Sequence, residues 1–220
     1  MLEEIVLNPG NTCNYAFFWF IPLIIAAAVA YADPLDIWSK PKIGMAVLGM
    51  TQSGKTLWYD FLSGSKRGGK TQTSGGVDVD SFDLMCGKEH VATIKKGTDI
   101  AGGDLNVHKF YENMIRENDF IFFFFDAEEY LYGHPKCEKD IKYDRDVNAR
   151  LDLISKYIDS KKFLLILTHV DKLTDKDADV NEIINQISNK SYGKLAKYYY
   201  PVNMMDEREK ENLKNKIFGA

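Results

Sequence analysis

The sequence predicts an α/β domain built on a mostly parallel sheet, and three stretches carry that prediction. Residues 49–56 read G-M-T-Q-S-G-K-T, a glycine turn set between a short apolar run and a segment able to continue as a helix. Residues 120–125 and 163–167 are unbroken apolar runs, F-I-F-F-F-F and F-L-L-I-L, each stopped by polar residues. Runs without alternation suit strands covered by helices on both faces, the usual condition of a parallel sheet.

The first stretch sets the order of the rest. K-I-G-M-A-V-L over 42–48 reads as a buried strand, and L-W-Y-D-F-L over 57–62 as the helix that follows. Between them lies the pattern G-x-x-x-x-G-K-[ST], a phosphate-binding loop. A strand, a tight turn and a helix start aim several backbone N–H groups and the helix dipole at one anion. Lys55 adds a mobile charge and Thr56 a hydroxyl for Mg2+. Gly49, Gln52, Ser53, Gly54, Lys55, Thr56 and Leu57 are therefore the expected phosphate contacts, and a nucleoside triphosphate the expected ligand.

Size and composition allow one sizeable core and an appendage: the chain has 220 residues, of which 45% are hydrophobic. A formal charge of -4 gives no case for nonspecific nucleic-acid binding. Cys13, Cys86 and Cys137 have neither metal-site spacing nor the density of a disulfide framework, which suits a reducing compartment.

The appendage is N-terminal. After a short segment, 1–14, residues 15–32 contain no charge and read Y-A-F-F-W-F-I-P-L-I-I-A-A-A-V-A-Y-A. At helical rise this run covers roughly 27 Å, close to the hydrocarbon thickness of a bilayer, so one transmembrane helix is expected. Tyr15, Trp19 and Tyr31 lie where interfacial aromatics belong. Glu3 and Glu4 precede the run while Lys40 and Lys42 follow it, which places the domain from residue 42 to 220 in the cytoplasm and makes 33–41 a short tether.

Within the domain, residues 63–76 are polar and glycine-rich, and Thr71 or Thr73 is placed to offer oxygen to Mg2+ and the γ-phosphate. Residues 77–86 and 91–94 read as an antiparallel edge hairpin turning at 87–90. T-D-I-A-G-G follows, with Asp99 suited to Mg2+ or its water and the N–H of Gly102 to sensing the γ-phosphate. A helix is expected over 107–116, the central strand from Phe120, a helix over 144–156, and a second buried strand from 162 ending in T-H-V-D at Asp171. Asp171 could pair with the N1–H and amine of guanine, two donors that adenine lacks. Asp175 or Asp177 caps a helix running toward Lys197, Tyr198–Val202 is the last strand, Asn203–Asp206 closes the base pocket, and 207–218 is an outer amphipathic helix.

The ordered set G49-x4-G-K-T56, D99-x-x-G102 and T168-H-V-D171 resembles the small P-loop GTPases of the Ras-like superfamily, over residues 42–218. L-W-Y at 57–59 and D-I-A-G-G-D at 99–104 look like the Arf-like branch and the membrane-anchored β subunit of the signal-recognition-particle receptor. The resemblance implies a mostly parallel six-stranded sheet, GTP or GDP with Mg2+ as cofactors, and a protein partner on the switch loops. It implies that Lys55 touches the β- and γ-phosphates, that Thr56, Asp99 and Thr71 or Thr73 serve Mg2+, and that Gly102 reads the γ-phosphate. Lys55, Thr71 or Thr73 and Gly102 are then the groups acting on the transferred phosphoryl. Thr168, His169, Asp171, Lys172, Asn203 and Met204 would surround the base.

The chain departs from the pattern in three places. His169 stands where a lysine normally packs under the base, Gly103 where Ras-like hydrolases carry the glutamine that orients water, and the last base loop lacks its usual small residues. Slow hydrolysis is the expectation, with a non-hydrolysing structural or recruiting subunit and a membrane-associated ATPase as alternatives.

Overall fold

The computed structural model describes residues 40–65, 76–100, 107–133 and 143–219. The proposed span at 15–32, its tether up to residue 39, the loop containing Thr71 and Thr73, and Gly102 and Gly103 lie outside these residues. Among the described residues no helix is long and apolar enough to cross a membrane.

The apolar run before the glycine turn is divided at Gly44 into β1 (Lys42–Ile43) and β2 (Met45–Gly49). A side chain at residue 44 would lie 2.9 Å from the Asn118 amide oxygen and 3.0 Å from its Cα. Gly44 instead donates its N–H to Asp119 Oδ2 at 2.9 Å and accepts from the N–H groups of Asp119 and Phe120. Upstream of this point the chain pairs with one neighbour, downstream with another. β1 runs parallel to β5 (Glu89–Ile94), which is antiparallel to β4 (Phe82–Cys86). β2 runs parallel to β7 (Phe120–Asp126), β7 to β8 (Lys162–Thr168), and β8 to β9 (Tyr199–Pro201). β3 (Gly76–Val79) and β6 (Gly97–Ile100) form a separate antiparallel pair.

This corrects the expected six-stranded sheet. Among the described residues the parallel sheet has four strands, in the order β2-β7-β8-β9, beside a three-stranded and a two-stranded sheet. Apolar pattern fixes which segments are strands, but the switch of partner at Gly44 depends on a contact with residue 118, far along the chain.

Helices cover both faces of the parallel sheet. α1 (Lys55–Ser63) and α6 (Glu207–Phe218) lie on one side, and α2 (Val107–Glu117), α3 (Ala127–Tyr132), α4 (Tyr143–Ser155) and α5 (Lys176–Ser188) on the other. β7 shows why its run has no polar break. Phe120, Phe122 and Phe124 pack against Trp58 and Phe218, while Ile121, Phe123 and Phe125 join Ile115, Val147, Leu151 and Ile183 on the opposite face. Each buried phenylalanine is worth about 2–3 kcal/mol of transfer free energy, so the strand belongs at the centre of the core.

Two helices differ from expectation. α5 stops at Ser188, with Asp175 as its cap through Ala178 N–H at 3.2 Å, and a short 3-10 turn over Gly193–Lys197 completes the passage to β9. α3 is an addition: the carboxylate of Asp126 at the end of β7 accepts from Glu129 N–H at 3.0 Å and starts a helix that the charged sequence beyond it had obscured.

Candidate functional site

β2 ends in the glycine turn at the carboxyl edge of the parallel sheet. Gly49 has φ 137° and lies so close to β7 that a Cβ there would be 2.0 Å from the Phe124 carbonyl oxygen. Met50 N–H donates to that same oxygen at 2.9 Å, locking the loop to the strand below it. Gln52 and Gly54 also take positive φ, 60° and 85°, so the loop reverses twice before α1 begins. Ser53 is fully buried and its hydroxyl donates to Met50 O at 2.7 Å, closing the loop on itself. Lys55, itself buried, reaches back over the loop to the carbonyl oxygens of Gly49, at 3.3 Å, and of Met50. Thr56 is half-buried in the first turn of α1, and Leu57 points outward with 38% exposure.

The start of α1, like that of α2, has no acidic residue in its first turn and differs in this from the four later helices. α3, α4, α5 and α6 each carry two acidic residues in their first turn, whereas α1 carries none and has no side-chain cap on its N–H groups. A helix end left this way, with a lysine inside it, has the electrostatic character that favours an anion.

The predicted base side lies against this loop. A Cβ on Gly54 would sit 2.9 Å from Met204 Cγ and 3.9 Å from Thr168 Cγ2, so the glycine turn, the T-H-V-D segment and the last loop converge at one point. Met204 is buried there as a wall of the loop, while Met205 beside it is 79% exposed. Asn203 is committed to its own loop: its N–H donates to Glu209 Oε2 at 2.7 Å and its side-chain oxygen accepts from Met205 N–H at 2.9 Å. Thr168 is fully buried and donates to Phe125 O at 3.0 Å. Asp171 is exposed within a short 3-10 turn, Val170–Lys172, and Lys172 pairs with Glu128 at 3.3 Å. Asp99 is placed by its backbone alone, in β6 opposite Val77.

No protein-family model matches the chain, and no curated protein matches it. Solved structures do. The elongation factor SelB from Methanococcus maripaludis, determined with the GTP analogue GppNHp, aligns with a TM-score of 0.54 at 16% identity, covering 81% of this chain and 33% of SelB. A probable GTP-binding protein, EngB, aligns at 0.54 with 15% identity, covering 80% of this chain and 96% of its own. A variant of SsGBP aligns at 0.52 with 15% identity, over 90% and 62%. The fold is that of the P-loop GTP-binding proteins. The chain spans about a third of the length of SelB, and identities this low speak for architecture alone.

Three residues of this P-loop fold escaped the sequence reading. Arg150, buried on α4, donates to Gly49 O at 3.2 Å and lies 3.4 Å from the hydroxyl of Tyr111 on α2. That hydroxyl accepts from Gly49 N–H at 3.1 Å, so the first residue of the P-loop is held from below by two helices. A signal was present: Arg150 interrupts the apolar face formed by Val147, Leu151 and Ile154, and a charge in such a stripe needs a partner. Asp126 is the third. Its Oδ2 lies 2.9 Å from His169 Nδ1, and His169 takes a left-handed φ of 56° to reach it. Burial alone would push the Asp126 carboxyl up, but hydrogen bonds from His169 and Glu129 N–H, with the charge of Lys172, hold it below the usual carboxylate range.

Among the described residues no group of three His, Cys, Asp or Glu is placed to hold a metal. Mg2+ at a P-loop needs less, one or two hard oxygens beside the phosphates, and the hydroxyl of Thr56 is a donor of that kind.

Proposed function

We propose that the chain is a membrane-anchored guanine-nucleotide-binding protein that hydrolyses GTP slowly and presents a nucleotide-dependent surface to a protein partner. The observation that carries the nucleotide site is the start of α1, uncapped, free of acidic side chains and centred on Lys55, with Thr168 and Met204 against Gly54. Guanine rests on Asp171, and on the GTP-binding proteins among the similar structures. The anchor rests on the uncharged run at 15–32, with the P-loop domain in the cytoplasm where nucleoside triphosphates are abundant. L-W-Y at 57–59 and D-I-A-G-G-D at 99–104 favour the Arf-like branch.

The chemistry is in-line attack of a water oxygen on the γ-phosphorus. The bond from that phosphorus to the β,γ-bridging oxygen breaks, giving GDP and inorganic phosphate. Lys55 and the N–H groups of the P-loop and α1 meet the charge gathering on phosphate oxygens. Mg2+ held by Thr56 and Asp99, with Thr71 or Thr73, would neutralise the same charge. Gly103 brings no side chain to orient the water, which makes turnover slow and favours a second reading, a subunit that stays nucleotide-bound and recruits a complex.

Nucleotide binding by the full chain tests the proposal. GTP and GDP should bind at least about a hundredfold more tightly than ATP, and Asp171→Asn should remove most of that preference. Equal affinity for both bases would defeat the guanine assignment. Single-turnover hydrolysis separates the two readings, since brisk release of phosphate is incompatible with the static subunit.

A further inference from the structure

The edge of the parallel sheet remote from the P-loop is hollowed on its outer side. A cavity of about 370 Å³ opens beside the first residues of β8. Ile158, Phe163 and Leu195, all buried, form its floor. Four lysines line it, Lys161, Lys162, Lys194 and Lys197, against the single carboxylate of Asp159. Two of them lie over aromatic rings: Lys162 Nζ is 4.9 Å from the centroid of Phe120, and Lys197 Nζ is 5.0 Å from that of Tyr198. Lys161 donates to Arg116 O at 3.1 Å. Lys194 and Lys197 are exposed at the mouth. Burial pushes the Lys162 ammonium below its ordinary pKa, so an anion beside it would stabilise its charged form.

An occupant suited to these walls has a compact negative group and an apolar part. Inorganic phosphate would leave oxygens against Leu195 and Phe163 without donors, and a wholly apolar molecule would gain nothing from Lys194 and Lys197 at the mouth. The position in the fold says where such a molecule comes from. Lys162 is the register partner of Phe120, and Phe120 of Met45, so the cavity and the start of β2 share one edge of the sheet. They are two strands apart, about 10 Å. Residue 40 leads into β1 at that edge, and the uncharged run ends only a few residues earlier, at Ala32.

We propose that this cavity receives the headgroup of an anionic membrane lipid, with the phosphate at Lys194 and Lys197 and the first apolar carbons on Leu195 and Tyr198. The site holds the P-loop domain in one orientation, cavity edge to the bilayer and nucleotide edge away from it. It rests on the reading that residues 15–32 span the membrane.

The full chain is reconstituted in vesicles of phosphatidylcholine alone, or with about one phosphatidic acid in five lipids, and lysine acylation is followed by mass spectrometry. Lys194 and Lys197 should acylate about tenfold more slowly with phosphatidic acid, while Lys42, at the same edge but outside the cavity, slows far less. In Lys194→Gln with Lys197→Gln, the protection read at Lys161 should vanish while nucleotide affinity, set at the opposite edge, is retained. Equal rates in both vesicles would overturn the site. So would equal slowing at Lys42, which means diffuse attraction, or the same protection from inorganic phosphate with phosphatidylcholine alone, which means a free-anion site. Extraction with alkaline carbonate tests the span separately. A chain released by carbonate yet protected by phosphatidic acid keeps the cavity and loses the span, and a retained chain without protection does the reverse.

Discussion

Gly49 is the residue whose replacement has the most definite outcome. A methyl group there meets the Phe124 carbonyl at 2.0 Å, on a backbone with φ 137° that L side chains rarely adopt. Gly49→Ala is therefore expected to lower stability by about 2–4 kcal/mol in chemical denaturation, through loss of the β2–β7 contact as well as strain. Asp126 governs a different property. Its carboxyl is held below the ordinary range in the fold, so its contribution is fully present above the unfolded value of about 3.9 and is lost as pH falls through the lower folded value. Asp126→Asn should flatten the loss of melting temperature between about pH 5 and pH 3, and an unchanged acid slope would show that the pair with His169 contributes nothing. Histidine in place of the expected lysine is thus tied to a buried carboxylate on the neighbouring strand, a pairing that the T-H-V-D motif by itself gives no means of reading.

Elements place these residues, and α6 illustrates how a helix far in sequence shapes the P-loop. Asp206 caps it through the N–H groups of Arg208 at 2.8 Å and Glu209 at 3.4 Å. Glu209 in turn holds Asn203 N–H, which fixes the loop that presses Met204 onto Gly54. Asp206→Ala should cost about 1 kcal/mol of stability and speed nucleotide release several-fold, measured with a fluorescent nucleotide; loss of stability with unaltered release would uncouple the cap from the site. The strands were the most readable elements, because β7 and β8 carry runs of apolar residues that only a doubly covered strand can bury. α4 was readable from Val147, Leu151 and Ile154, yet its contact with Gly49 spans 101 positions and depends on how α4 lies across the sheet. Helix α3 was missed because its start depends on one carboxylate at the end of a strand, and its few residues leave no period to detect.

At the scale of the fold, the order of motifs along the chain gave the P-loop architecture, while the division of the described residues into three sheets did not follow from it. The loop pattern is local, eight residues whose spacing is the signal, whereas sheet membership is decided by partners brought from elsewhere. Gly44 is where that difference has a physical outcome. Above it the segment is laced to β5, below it to β7, and five residues further on it becomes the P-loop. If residues 15–32 span a membrane as proposed, traction on that side would enter at Pro41 and run lengthwise along this segment, loading two ladders of hydrogen bonds in shear. Bonds loaded in parallel yield together, so the strap resists a tug that would unzip a peripheral strand one bond at a time. The P-loop would in this sense be the far end of a mooring line, and lateral drag on such an anchor would be felt first by the strand that carries Gly49.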